Sequence, residues 1–107
     1  ANLTDAKLQI RNLETALKLY KLDNGLYPTT EQGLQSLLTK PTVGMIPKNW
    51  RTGGYLESKN LPKDPWGTEF IYLSPGEHGD YDLCSFGVDG VKGGEGQGAD
   101  ICNWHIQ

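Results

Sequence analysis

Apolar residues recur at Leu3, Ala6, Ile10, Leu13, Leu17 and Tyr20, spaced alternately by three and four, which places them on one face of an α-helix. The pattern predicts a helix over about residues 3–24. Leu8, Ala16 and Leu19 fall outside the stripe and widen it, so more than one side of the helix is expected to find a packing partner. Asp23-Asn24-Gly25 predicts the end, because glycine adopts the left-handed C-terminal conformation without steric cost.

After Tyr27-Pro28, Thr29 is placed to cap a second short helix with Gln32 reaching back to it. Leu34, Leu37 and Leu38 form the inner face of that helix until Pro41 stops it. From Pro41 to Pro65 four prolines with Gly44, Gly53 and Gly54 interrupt any period. This stretch reads as a long loop over the core, pinned by Trp50, Tyr55 and Leu56. Asp64-Pro65-Trp66-Gly67 suits a type I turn. It leads into a β-rich run, Glu69 to Leu73. Pro75 to Gly79 is the next turn, and Asp80 to Phe86 alternates Tyr81 and Leu83 against Cys84 and Phe86 as a second strand. A third strand is expected near Ile101 to Ile106. A helix first and strands afterwards predict an α+β fold, with a small antiparallel sheet packed on the long N-terminal helix.

The chain has 107 residues, enough for one core and too few for two, so residues 1–107 read as a single domain. A net charge of -3 gives no electrostatic reason to expect nucleic acid or an anionic membrane surface. No run of 18 apolar residues and no signal-peptide pattern occurs, so the chain as given is expected to be soluble. Because the helical pattern starts almost at the first residue, an upstream segment removed by processing or truncation is equally compatible.

Cys84 and Cys102 flank the most glycine-rich part of the chain. A disulfide there would close a loop worth about 3 kcal/mol in the chain-entropy picture and would indicate an oxidising compartment; two buried thiols are the other reading. Between them runs GVDGVKGGEGQGAD, residues 87–100, in which six of 14 are glycine. Ordering so many glycines costs backbone entropy. A hard cation such as Ca2+ would hold such a segment, since it takes six to eight oxygens and glycines let carbonyls turn inward. Asp89 and Asp100 are the available charges; a mobile surface loop with two solvated acids is the plainer alternative. An EF-hand starting at Asp89 fails, because its third and fifth positions are Val91 and Gly93. A glycine-rich calcium repeat starting at Gly93 also fails, because Gly98 stands where its aspartate belongs.

Three separated stretches shift the balance between these readings: Tyr20 to Leu34 (YKLDNGLYPTTEQGL), Leu61 to Gly67 (LPKDPWG), and Gly87-Val88-Asp89-Gly90 with Ala99-Asp100-Ile101 and Asn103-Trp104. Together they resemble the signature of type II secretion major pseudopilins. The resemblance implies a pilin-like fold with a helix at about 3–24, an αβ-loop at about 25–67, and a sheet with a calcium loop at about 68–107. It also implies a hydrophobic transmembrane segment upstream of this chain. Carried over by position, Asp89 and Asp100 would ligate calcium through their side chains and Phe86 and Val91 through their carbonyls. One acid common in the family is replaced by Ala99, and an oxygen at Gln97 would compensate. The implied role is structural: self-association into a helical fibre in the periplasm, alongside minor pseudopilins and the inner-membrane platform of the secretion machine, with no nucleotide bound by this chain.

Other classes fit less well. An enzyme would have only His78 and His105 as near-neutral bases, both beside turn or terminal residues. The three tryptophans admit a carbohydrate-binding module, although Trp66 in a proline turn and Trp104 near a strand suit core packing better. A type IV pilin shares the helix and sheet and commonly closes its C-terminal region with a disulfide, which these cysteines permit.

Overall fold

The apolar stripe folds as helix α1, Asn2–Asn24, with Asp5 in its first turn and Lys21 in its last, each sign matched to the helix dipole. Gly25 caps it with φ 89°, its N–H donating to the Lys21 carbonyl at 2.7 Å. A computed structural model describes residues 2–87 and 100–106. Ala6, Ile10, Leu13, Leu17 and Tyr20 are fully buried. Ala16, outside the stripe, is buried too, and Leu19 packs against the core, whereas Leu8 stays 57% exposed. The widened stripe therefore has two partners within the chain: the sheet, and the αβ-loop through Tyr55 and Leu56.

Thr29 and Gln32 meet as the spacing requires: the Gln32 N–H donates to Thr29 Oγ1 at 3.1 Å, and the Thr29 N–H to Gln32 Oε1 at 3.0 Å. The element that follows is shorter than expected, a single 3-10 turn at Leu34–Leu37. Gln32 is only 6% exposed, and its amide donates to the carbonyls of Val43 and Met45, so the cap residue also anchors the loop beyond. Trp50 and Tyr55 pin that loop as expected. Trp50 Nε1 donates to the Ser36 carbonyl at 2.8 Å, and the Tyr55 hydroxyl donates to Asp23 while accepting from Asn24 and the Arg51 N–H. Asp23 and Asn24, read from sequence only as a helix stop, thus also hold the αβ-loop to the end of α1.

Strands β1 (Ile71–Leu73), β2 (Asp82–Ser85) and β3 (Ile101–Cys102) form an antiparallel sheet in that order. All three are shorter than the sequence predicts. Glu69 pairs instead with Lys63 across the Asp64 turn as an isolated bridge. The third strand stops after two residues because Asn103 substitutes for its continuation. The Asn103 side chain accepts from the Leu83 N–H at 2.9 Å and donates to the Tyr81 carbonyl at 3.3 Å, satisfying β2 while its own backbone turns into a 3-10 segment, Asn103–His105. Tyr72, Leu83 and Ile101 join the core against α1, while Cys84 and Asp82 lie on the opposite face with Ile71 and Leu73. Tyr72 and Tyr81 tie the layers together. The Tyr72 hydroxyl donates to the Pro28 carbonyl at 2.6 Å, and the Tyr81 hydroxyl to Glu14 of α1 at 2.8 Å. No helix among the described residues is long and apolar enough to cross a membrane.

Candidate functional site

Of the residues that the sequence singled out for chemistry, Cys84, Phe86, Asp100 and Cys102 lie at the end of the sheet where β2 and β3 part. Their register pairs Cys84 with Cys102 and Ser85 with Ile101, so Phe86 and Asp100 stand next to each other in sequence order beyond the last pair. Both line one hollow of about 200 Å³ on the outer face of the sheet. Asp89, Val91 and Gln97, the remaining predicted ligands, lie outside the described residues. Among the described residues no three His, Cys, Asp or Glu side chains come together as a metal-binding group.

Cys84 and Cys102 form a disulfide, with Cα atoms 4.0 Å apart across the β2–β3 ladder. Of the two readings left open, the cross-link is the one realised, and it staples the two strands at the root of the glycine loop. The same face carries a second cluster. His78 stacks on Trp104 with ring centroids 3.7 Å apart, and its Nδ1 lies 3.2 Å from Asp82. The Asp82 carboxylate also accepts from the N–H groups of Glu77 and His78. Burial pushes the Asp82 carboxyl up, but these donors outweigh it and hold the group below the usual carboxylate range. His105 Nδ1 accepts from the Cys102 N–H at 3.4 Å. Each histidine therefore sits in a contact that fixes local structure, and both thiols are consumed by the disulfide.

A third group was not singled out from sequence. Asp64, in the Asp64-Pro65-Trp66-Gly67 turn, is 4% exposed. Its Oδ1 accepts from the N–H groups of Trp66 (3.1 Å) and Thr68 (2.8 Å), and its Oδ2 accepts from the Ser85 hydroxyl at 2.7 Å. Ser85 Oγ in turn accepts from the Gly87 N–H at 3.3 Å. The available signal was Ser85 itself: a serine at an inward position beside Leu83 is buried and needs a partner.

Residues 1–104 match the model of the family described as type II secretion system (T2SS), protein G. The chain belongs to this family. It is 56% identical over its whole length to the type II secretion system core protein G of Vibrio cholerae serotype O1, covering 71% of that protein. It is 52% identical to the core protein G of Pseudomonas aeruginosa, over 97% of this chain and 72% of the relative. Among solved structures, the major pseudopilin from the type 2 secretion system of enterohaemorrhagic Escherichia coli superimposes with a TM-score of 0.85 at 45% identity, covering 96% of this chain and 86% of that one. The resemblance read from three motifs is thereby borne out. The pilin-like α+β architecture expected of a protein G family member is the one observed.

Proposed function

We propose that this major pseudopilin is a non-enzymatic subunit that polymerises into the periplasmic fibre of a type II secretion machine, and that calcium bound by its glycine loop stabilises the subunit for assembly. The observation that carries the reading is the agreement in both sequence and fold with a solved major pseudopilin. Surface chemistry supports it. Leu8 and Leu22 of α1 are 57% and 77% exposed, apolar positions that a second subunit would cover. The subunit would begin anchored in the inner membrane through an upstream segment, and would meet minor pseudopilins and the membrane platform during assembly.

The donor set suits a hard cation. Asp100 brings a carboxylate and Phe86 a carbonyl to the same sheet end, and Asp89, Val91 and Gln97 are placed in the intervening sequence to add the other oxygens. Calcium, when bound, supplies the positive charge that draws these oxygens together. The chain's part is to bring them from β2 and β3 to one place, with the disulfide already holding the two strands. Binding only to the folded loop adds RT ln(1 + [L]/Kd), about 2.7 kcal/mol at a hundredfold excess over Kd.

Asp89→Ala tests the reading in one experiment with two readouts. The purified variant should lose the calcium-dependent rise in melting temperature that the unaltered domain displays, and cells carrying it should fail to build the fibre. A variant with an undiminished calcium response would remove Asp89 from the site. Fibres built normally by a calcium-unresponsive variant would separate calcium from assembly.

A further inference from the structure

We propose that the tip of the αβ-loop on one subunit docks into a hollow beside the start of α1 on a second copy of this chain, a head-to-tail contact that rests on the fibre reading above. The tip is an apolar knob. Met45 is 66% exposed, and Val43 and Ile46 beside it are exposed as well. The backbone under them is fixed, because the buried Gln32 amide donates to the carbonyls of Val43 and Met45, both at 2.9 Å. A knob already held in place loses little freedom on docking, so less of its apolar gain is offset by ordering. Two charges accompany it. Lys48 lines one hollow together with Met45 and Ile46, and Glu31 adjoins Gln32 in the chain.

The receiving surface lies at the other end of the helix. Asp5, Leu8, Gln9 and Asn12 of α1, with Lys63 and Pro65 of the facing turn, line a hollow of about 430 Å³. Exposed Leu8 and Pro65 give it apolar surface. The turn side is rigid, since Asp64, between Lys63 and Pro65, accepts from the N–H groups of Trp66 and Thr68 and from the Ser85 hydroxyl. Asp5 and Lys63 bring one charge of each sign to the hollow, as Glu31 and Lys48 do to the knob. None of the four has an ion-pair partner among the described residues. Seating Met45 against Leu8 and Pro65 pairs Lys48 with Asp5 and Glu31 with Lys63, so apolar surface and charge match together. The knob packs beside Asn24; from position 8 to position 24 is about 24 Å along a helix, so one chain cannot make this contact with itself. Because the two surfaces differ, each docked pair leaves a free knob and a free hollow. A contact of this kind repeats into a filament wherever its rotation does not close a ring.

The test uses the full-length subunit in cells that build the fibre. Cys84 and Cys102 are already bonded to each other, so Leu8→Cys and Met45→Cys supply the thiols to be joined, which link only where their Cα atoms come within about 7 Å. After oxidation of sheared fibres, the chain carrying both substitutions should run as a ladder of covalent multimers, and a chain carrying either one alone should form no ladder. Charge exchange is the second arm. Asp5→Lys and Lys48→Asp should each cut fibre yield about fivefold, the upper range for an exposed ion pair, and the two together should restore it. Fibres of the double-cysteine chain without a ladder overturn the docking proposal and leave the fibre reading standing. If that chain builds no fibre, the charge exchange decides: a yield unmoved by either single exchange, or not recovered by the two together, overturns the proposal. An unaltered subunit that forms no fibre overturns the fibre reading itself, and this contact falls with it.

Discussion

Removing the Cys84–Cys102 cross-link should be among the most damaging changes to this domain that leave its core intact. The two residues are separated by 18 positions, and the chain-entropy relation for a loop of that size gives about 3 kcal/mol at 25 °C. For a domain near 100 residues, at roughly 4 °C per kcal/mol, this corresponds to a fall in Tm of about 12 °C. The native sheet offers little to offset it, because β3 is two residues long and pairs with β2 only at Cys84↔Cys102 and Ser85↔Ile101. The appropriate variant is Cys84→Ala with Cys102→Ala, followed by far-UV circular dichroism on heating in the presence of EDTA, so that no divalent ion holds the same segment. Reductant should lower the Tm of the unaltered domain by a similar amount and leave the double variant unchanged. A double variant melting within about 3 °C of the oxidised domain would refute the argument, since a loop-closure gain cannot be that small unless the unfolded chain is already constrained there.

Leu17→Ala, at a fully buried position of α1, should cost about 3 kcal/mol by urea unfolding. Leu22→Ala, at a position 77% exposed, should change stability by no more than about 0.5 kcal/mol; equal effects would contradict the assigned helix face. In alkaline solution, burial raises the hydroxyl pKa of Tyr72, and burial together with the bond to Glu14 raises that of Tyr81, both from the ordinary tyrosine value of 10.0. Folded-state values above the unfolded ones mean that this contribution is complete below pH 10 and is lost as pH rises beyond it. The urea midpoint should therefore fall between pH 9 and pH 11, less steeply in Tyr81→Phe. Ultraviolet titration with every tyrosine of the folded domain ionising near pH 10 would remove the basis for this.

Elements governed by local periodicity were legible in the sequence. The three-and-four spacing from Leu3 to Tyr20 located α1 and its buried face, because a helix repeats its environment every turn regardless of what covers it. Thr29 with Gln32, and Trp50 with Tyr55, were legible because a capping pair or a large aromatic residue in a polar loop has few other uses. Cysteines on either side of a glycine run allowed a staple without proving one, and the family could be read from three motifs in order.

What only the tertiary structure decided are hydrogen bonds between residues far apart in the chain, which no period encodes. Asn103 ended β3 by offering its side-chain amide to Leu83 and Tyr81 in place of backbone, so a strand expected to run to Ile106 stopped at Cys102. Asp23 and Asn24 became clamps on the αβ-loop because the chain returns to the end of α1 some 25 to 32 residues later. Asp64 met Ser85 only because the turn and β2 come together in the fold. A burial pattern determines which face of an element turns inward; which polar atom it meets there depends on the path of the whole chain.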